Sequence, residues 1–365
     1  MTDSKIFNAD KSDYEKPLLF LGQDNGLFDT INKSYPEIWE IYKNAKSLDW
    51  DENEFQYDTC ANDFKTCNQS TYDMMIKTLA WQFEADSAAS RISPIVGPLI
   101  SSSELWAAWQ KISEVEVLHA ATYSEIVRNS FDNPSDVLDE ILSVKESLSR
   151  LNLIGNELGR VHKVAHEYAL GLREANQETY NACFMFAVSM LVLERIQFMA
   201  SFAVTFSICD TGMFQPIGKA VQKIAQDELE THVELDKAVI RNEMKTQRGQ
   251  IAFEQCKDRI QHLIDEVVLS EFEWVDYLFS EGRELIGMNA DVLKSWTAFC
   301  AKDVYHFLGL KTEVCTLPKH NPLRFMEHWL DISKTQASPQ EEQNGQYKVC
   351  VLQRDDDDVE FDADF

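Results

Sequence analysis

The chain has 365 residues, enough for one large or two ordinary domains, and its 44% of apolar residues is normal for a globular protein. A formal net charge of −27 excludes non-specific binding to nucleic acid or to an anionic membrane, since both need a basic surface. Eight dispersed cysteines without a C-x-x-C pair exclude a disulfide scaffold and a clustered zinc site. With no signal peptide they read as the reduced thiols of a cytoplasmic protein, or of one in the host cytoplasm if the chain is viral.

Residues 1–16 are polar and read as a flexible N-terminus ahead of one domain spanning 17–333. Glycine (13) and proline (9) are sparse, no repeat is visible, and strand-type alternation is rare, so the fold class is all-α with long helices. The first strong pattern runs from about Ser70 to Arg91, where Met75, Leu79, Gln82 and Asp86 share a face. A second helix starts at Ser102 or Ser103 as N-cap and carries Leu105, Trp109, Ile112, Glu116, His119, Tyr123 and Ile126 on one stripe. Pro134-Ser135 opens a helical region reaching about Glu174. A fourth helix covers about 177–209, with Ala187, Met190, Leu191, Glu194, Phe198 and Phe202 aligned. Its apolar stretch from Tyr180 to Cys209 is interrupted by Glu194, Arg195 and Gln197, which marks a buried core helix and not a membrane span. A fifth covers about 215–243, with Ile217, Val221, Ile224, Glu228, His232, Leu235 and Val239 on one face. Further helices are predicted at about 248–284, 290–309 and 322–332. Beyond Ser333 the chain is polar and ends D-D-D-D-V-E-F-D-A-D-F, so 334–365 read as a disordered acidic tail.

Carboxylates and imidazoles on apolar stripes need an explanation, because an unpaired buried charge is expensive. Asp86, the pair Glu116-x-x-His119, Glu194, and Glu228 with His232 place four carboxylates and two imidazoles on four helices. That is the donor set of a carboxylate-bridged dinuclear metal site in a helical bundle, and its hard oxygen and nitrogen atoms suit iron or manganese. Arg195 does not neutralise Glu194, since adjacent helical residues do not face each other. His162 and His166 also lie four apart, beside Glu167, and read as a solvated helix face.

These residues, with F-L-G-Q at Phe20–Gln23, W-Q-F-E-A-D-S at Trp81–Ser87, L-E-R-I-Q-F-M-A-S-F at Leu193–Phe202, A-Q-D-E at Ala225–Glu228, E-W-V-D-Y-L-F at Glu273–Phe279 and N-P-L at Asn321–Leu323, carry a family resemblance. Over nearly its whole length the chain resembles the small (beta) subunit of a class I ribonucleotide reductase. The resemblance implies a ferritin-like bundle with additional helices. It also implies two Fe ions per chain, with manganese as the alternative, held by Asp86, Glu116, His119, Glu194, Glu228 and His232. It casts Tyr123 as the store of a tyrosyl radical, produced by reaction of the reduced centre with O2 and renewed by an external reductant. Phe198, Phe202 and Ile224 would wall that radical in, and Asp86 could accept the phenol's hydrogen bond. Trp50, Asp227 and His119 would form a hydrogen-bonded line toward the partner surface, with Asp227 orienting His119. Tyr347 would relay the radical equivalent to a cysteine of a separate large subunit, where ribonucleotides become deoxyribonucleotides. Val359, Phe361 and Phe365 would anchor the tail there while its carboxylates steer. A homodimer is implied, with no part for nucleic acid or membrane.

The sequence departs from the family at one ligand. The second Glu and His are usually three apart, but here Glu228 and His232 are four apart and Thr231 holds the usual histidine position. Four apart still shares a helix face, and a π-turn would restore the geometry. Glu230 falls off the apolar stripe and is the weaker candidate.

Overall fold

Five long helices begin on side-chain caps. Asn68, Ser102, Asn176, Thr246 and Asn289 accept the backbone N–H three residues on, from Thr71, Leu105, Thr179, Gly249 and Val292, at 2.9–3.3 Å. The structure, a computed structural model, describes residues 7–9, 18–23 and 26–331. In chain order the helices are α1 (Pro36–Ser47), α2 (Cys60–Thr66), α3 (Gln69–Ala89), α4 (Ile92–Val96), α5 (Ser103–Ser130), α6 (Pro134–Leu142), α7 (Lys145–Ala169), α8 (Gln177–Val192), α9 (Phe198–Cys209), α10 (Gln215–Asp227), α11 (Val233–Met244), α12 (Gln247–Leu278), α13 (Ala290–Leu308) and α14 (Phe325–Trp329). Among the described residues there is no strand; isolated bridges join Phe20 to Ile100 and Leu285 to Met288.

The continuous helix through α8 and α9 is the centre of the core. It is apolar on every side, which a helix tolerates only when surrounded. Gln177–Cys209 is long and apolar enough to cross a membrane, but 89% of its most apolar window is buried inside the bundle. Around it, α8 packs on α7, α11 and α12, while α9 packs on α3, α10 and α13. The pair α3 and α5 closes the remaining side of the ligand-bearing helices.

Two of these connections are π turns. Leu193–Gln197 joins α8 to α9, and Glu228–His232 joins α10 to α11, and the two turns touch each other. Of the two backbones open to the four-residue Glu228–His232 spacing, a regular helix or a bulge, the second turn is the bulge.

Three expectations change, the first being that the helix expected at about 322–332 covers only Phe325–Trp329. The region from Pro134 to Glu174 is two helices, because the chain turns at Ser143-Val144, where both N–H groups bond back to Glu140 and Ile141. The helix expected at 248–284 ends at Leu278. The N-terminus and acidic tail lie almost wholly outside the described residues, as do Tyr347, Val359, Phe361 and Phe365.

Candidate metal centre

Asp86 comes from α3, Glu116 and His119 from α5, Glu194 from the first π turn, and Glu228 and His232 from the second. All six are buried, five of them at 0% exposure and His232 at 1%. Their donor atoms form two overlapping groups. Asp86, Glu116, His119 and Glu228 make one, and Glu116, Glu194, Glu228 and His232 make the other, with ligand atoms within 4.8 Å of one another in each. Glu116 and Glu228 belong to both. His119 Nδ1 stands 3.2 Å from Glu228 Oε1, 3.6 Å from Glu116 Oε2 and 3.8 Å from Asp86 Oδ2. His232 Nδ1 stands 2.7 Å from Glu228 Oε2 and 3.2 Å from Glu116 Oε1.

The donor atoms ask for cations. Both oxygens of Asp86, Glu116 and Glu194, together with Glu228 Oε1 and His119 Nδ1, have no hydrogen-bond partner although buried. Buried polar atoms left without hydrogen bonds are costly unless a metal takes them. Burial, then the neighbouring Glu116 carboxylate, pushes the Asp86 carboxyl well above its usual range. Burial and Glu228 do the same to Glu194. Two divalent cations would relieve that repulsion. The residues present therefore fit a dinuclear metal centre.

The π turn explains the odd spacing. An α-helical turn accommodates Glu-x-x-His on one face. The wider i→i+5 turn takes up one more residue, so His232 occupies the angular position that a third residue would otherwise hold. Thr231, buried beside it, turns away from the cluster and its hydroxyl donates to the Asp227 carbonyl at 2.7 Å. Glu230 is half-exposed and outside both groups.

Behind His119 runs a polar line through a single oxygen. Asp227 Oδ2 lies 3.1 Å from His119 Nε2 and accepts from Trp50 Nε1 at 2.8 Å. The Trp50 and His119 rings are near-parallel, 6.2 Å apart. Trp50 is only partly buried, so the line leads outward from the buried imidazole.

Tyr123 lies one turn beyond His119 on α5 and is buried. Its hydroxyl has no hydrogen-bond partner, and neither does either Asp86 oxygen, so the direct bond expected between them is absent. The Asp86 carboxylate belongs instead to the ligand cluster. Burial, then the Asp86 charge, holds the phenol pKa well above its usual value. Phe198, Phe202 and Ile224 are fully buried, and the first two rings stack at 5.6 Å. The ring beside Tyr123 that sequence reading missed is Phe83, 6.1 Å away on α3. Its position three residues before Asp86 on a helix was the available signal. Arg195 pairs with Asp303 at 3.1 Å, away from Glu194. His162 and His166 are solvent-exposed, with His166 Nδ1 2.8 Å from the His162 carbonyl oxygen.

A family model described as ribonucleotide reductase, small chain, matches residues 27–314. The chain belongs to this family. The beta subunit of ribonucleoside-diphosphate reductase from Buchnera aphidicola is 25% identical to this small chain, covering 97% of each. Among solved structures, the ribonucleotide reductase R2 subunit from Clostridium botulinum superposes with a TM-score of 0.72 at 17% identity, covering 83% of this small chain and 90% of its own. The dimanganese(II)-NrdF of Streptococcus sanguinis does so with a TM-score of 0.63 at 12% identity, over 78% and 92%. These likenesses establish the ferritin-like all-α bundle of this small chain. As a small chain it works with a large-subunit partner.

Proposed function

We propose that this chain is the radical-generating small subunit of a ribonucleoside-diphosphate reductase and that Tyr123 is the residue it oxidises. The observation that carries this reading is a buried phenol one helical turn from His119, an imidazole facing two overlapping groups of carboxylate and imidazole donors on one edge and Asp227 on the other. Asp86, Glu116, His119 and Glu228 would hold one metal, and Glu116, Glu194, Glu228 and His232 would hold the second, with Glu116 and Glu228 common to both groups. Iron is the metal proposed; the manganese named for the S. sanguinis protein is the alternative. When bound, the reduced metal pair supplies O2-dependent one-electron oxidation.

The protein's own groups direct that oxidation. Tyr123 holds its proton because burial and the Asp86 charge oppose the phenolate. Its loss of an electron is therefore accompanied by loss of the hydroxyl proton, which the reduction of O2 to water consumes. Burial behind Phe83, Phe198, Phe202 and Ile224 keeps water and reductants from the phenoxyl. Asp227 fixes the His119 ring and can take the Nε1 proton of Trp50 as that indole gives up an electron. Trp50 then passes the oxidising equivalent to Tyr347 and on to a cysteine of the large subunit, where ribonucleoside diphosphates are reduced. Val359, Phe361 and Phe365 anchor the tail to that subunit, the active unit contains a homodimer of this chain, and an external reductant renews the centre.

The test is low-temperature EPR of the metal-free chain after Fe(II) loading and exposure to O2, beside Tyr123→Phe. A tyrosyl signal lost in the variant supports the reading. Two bound irons without any radical would overturn it for iron, and the same experiment with manganese then decides the metal. A chain cut after Ser333 should bind metal normally and fail to bind or activate the large subunit. Unchanged activity after that cut would rule out the relay through Tyr347.

A further inference from the structure

Arg150 on α7 is buried, and its charge plays no part in the site described above. Its guanidinium carbon lies 3.9 Å from the ring centroid of Trp81 and 4.4 Å from that of Trp274. Nε and Nη2 donate to the two carboxylate oxygens of Glu271 at 2.9 and 2.7 Å. Nη2 also donates to the carbonyl of Gln197 at 2.9 Å, the last residue of the π turn that carries Glu194. Trp81 precedes Asp86 by five residues on α3, ~7.5 Å of helical rise. Its ring lies 6.2 Å from that of Phe198. An indole this close to an oxidising centre is a competing electron donor.

Its surroundings oppose that role. Taking an electron from an indole leaves a radical cation, and a positive charge against the ring face makes this harder, most of all in a low-dielectric interior. An arginine keeps its charge there. Glu271 weakens the effect without cancelling it, because it bonds the edge of the guanidinium while the indoles cover the faces. The radical cation could be relieved by losing its Nε1 proton, but neither Trp81 Nε1 nor Trp274 Nε1 has a hydrogen-bond acceptor. Trp50 is the opposite case, with its Nε1–H on the Asp227 carboxylate at 2.8 Å. There an anion stabilises the lost electron's vacancy and the proton has a destination.

We propose that Arg150 guards Trp81 and Trp274 against one-electron oxidation, so that the electron withdrawn at the dinuclear site comes from Tyr123 and the relay from Trp50. The proposal rests on the reading that this site oxidises Tyr123. With Arg150 in place, Tyr123 gives up one electron, and its hydroxyl proton is taken up in the water formed as O2 is reduced at the site. Without it, Trp81 or Trp274 gives one electron to the same oxidant, the O2-oxidised metal pair, and keeps its Nε1 proton as a radical cation.

The decisive variant is Arg150→Met/Glu271→Gln in the full chain. The methionine stem fills the space between the rings, and no buried charge is left unpaired. Glu271→Gln alone breaks the same ion pair but keeps the cation. Arg150→Gln/Glu271→Gln replaces the methionine variant if circular dichroism shows that variant unfolded. In the first arm the metal-free chains are oxidised by a photogenerated ruthenium(III) polypyridyl complex, and oxidised tryptophan is mapped by peptide mass spectrometry. The double variant should carry at least tenfold more oxidation at Trp81 and Trp274 than the wild type, with Glu271→Gln at the wild-type level. Equal oxidation in all three overturns the proposal. So does a rise in Glu271→Gln matching the double variant, which would assign the effect to lost packing. In the second arm, chains with ring-deuterated tryptophan are loaded with Fe(II), exposed to O2 and read by EPR. A tryptophan radical narrowed by the label should appear in the double variant and not in the wild type, and its absence from the double variant overturns the proposal. Failure of the wild type to form a tyrosyl radical would instead sink the reading of Tyr123, and the first arm would still judge Arg150.

Discussion

The two Glu/His pairs of the cluster reach a similar arrangement on different backbones. Glu116 and His119 lie three apart on a regular stretch of α5, whereas Glu228 and His232 lie four apart on a π turn. Yet both imidazoles present Nδ1 to the shared carboxylates, at 3.2 Å from Glu228 for His119 and 2.7 Å for His232. What the site requires is an angle about the helix axis, and a residue count meets it only through the local helix type. The pairs also differ behind the ring. His119 Nε2 faces Asp227, while His232 Nε2 has no hydrogen-bond partner. Only the regular pair is wired to Trp50.

Removing a shared ligand should break both halves together. Glu116→Ala and Glu228→Ala are expected to abolish metal binding and the radical, a loss beyond the roughly 10–100-fold caused by losing an outer partner of a ligand. Metal analysis and EPR check this, and retention of one full-strength metal in either variant would contradict shared ligation. Next comes the exchange Thr231→His/His232→Thr, which restores the family's usual spacing. If the π turn sets the angle, the moved imidazole points off the cluster and metal on the Glu194 side is lost. Wild-type metal content would mean that the turn straightens readily. Asp227→Asn sharpens the second difference. It should leave metal content near normal and lower turnover with the large subunit by about 10–100-fold, the range for a group that orients a ligating histidine. Unchanged turnover would remove Asp227 from the relay. The smallest effect is expected from Thr231→Val, which deletes the hydroxyl bonded to the Asp227 carbonyl. It should cost about 0.5–1.5 kcal/mol in urea unfolding with metal content retained. A loss of metal would assign the hydroxyl a part in shaping the turn.

Much of the centre was legible because polar residues on apolar helical stripes stand out. Asp86, Glu116, His119, Glu194, Glu228 and His232 were each marked by bulky neighbours at helical spacing, and all are buried in one cluster. The spacing mismatch at Glu228 was legible and left a regular helix and a π turn both open, because residues four apart share a face on either. The π turn at Leu193–Gln197 was not legible, since Glu194 has no paired histidine whose offset would betray it. The break between α6 and α7 was hidden because Ser143-Val144 includes neither glycine nor proline. Arg150 looks like any surface arginine in sequence, and its partner Glu271 is 121 residues away.

Amino-acid order by itself determined the helical class, the caps and the ligand types, because these depend on neighbours within a turn or two along the chain. Tertiary structure alone decided which carboxylates are shared, that one Asp227 oxygen joins Trp50 to His119, and that Arg150 stacks between Trp81 and Trp274. Those are distances between helices remote in sequence, set by how side chains of α3, α5, α7, α10 and α12 fill a common interior.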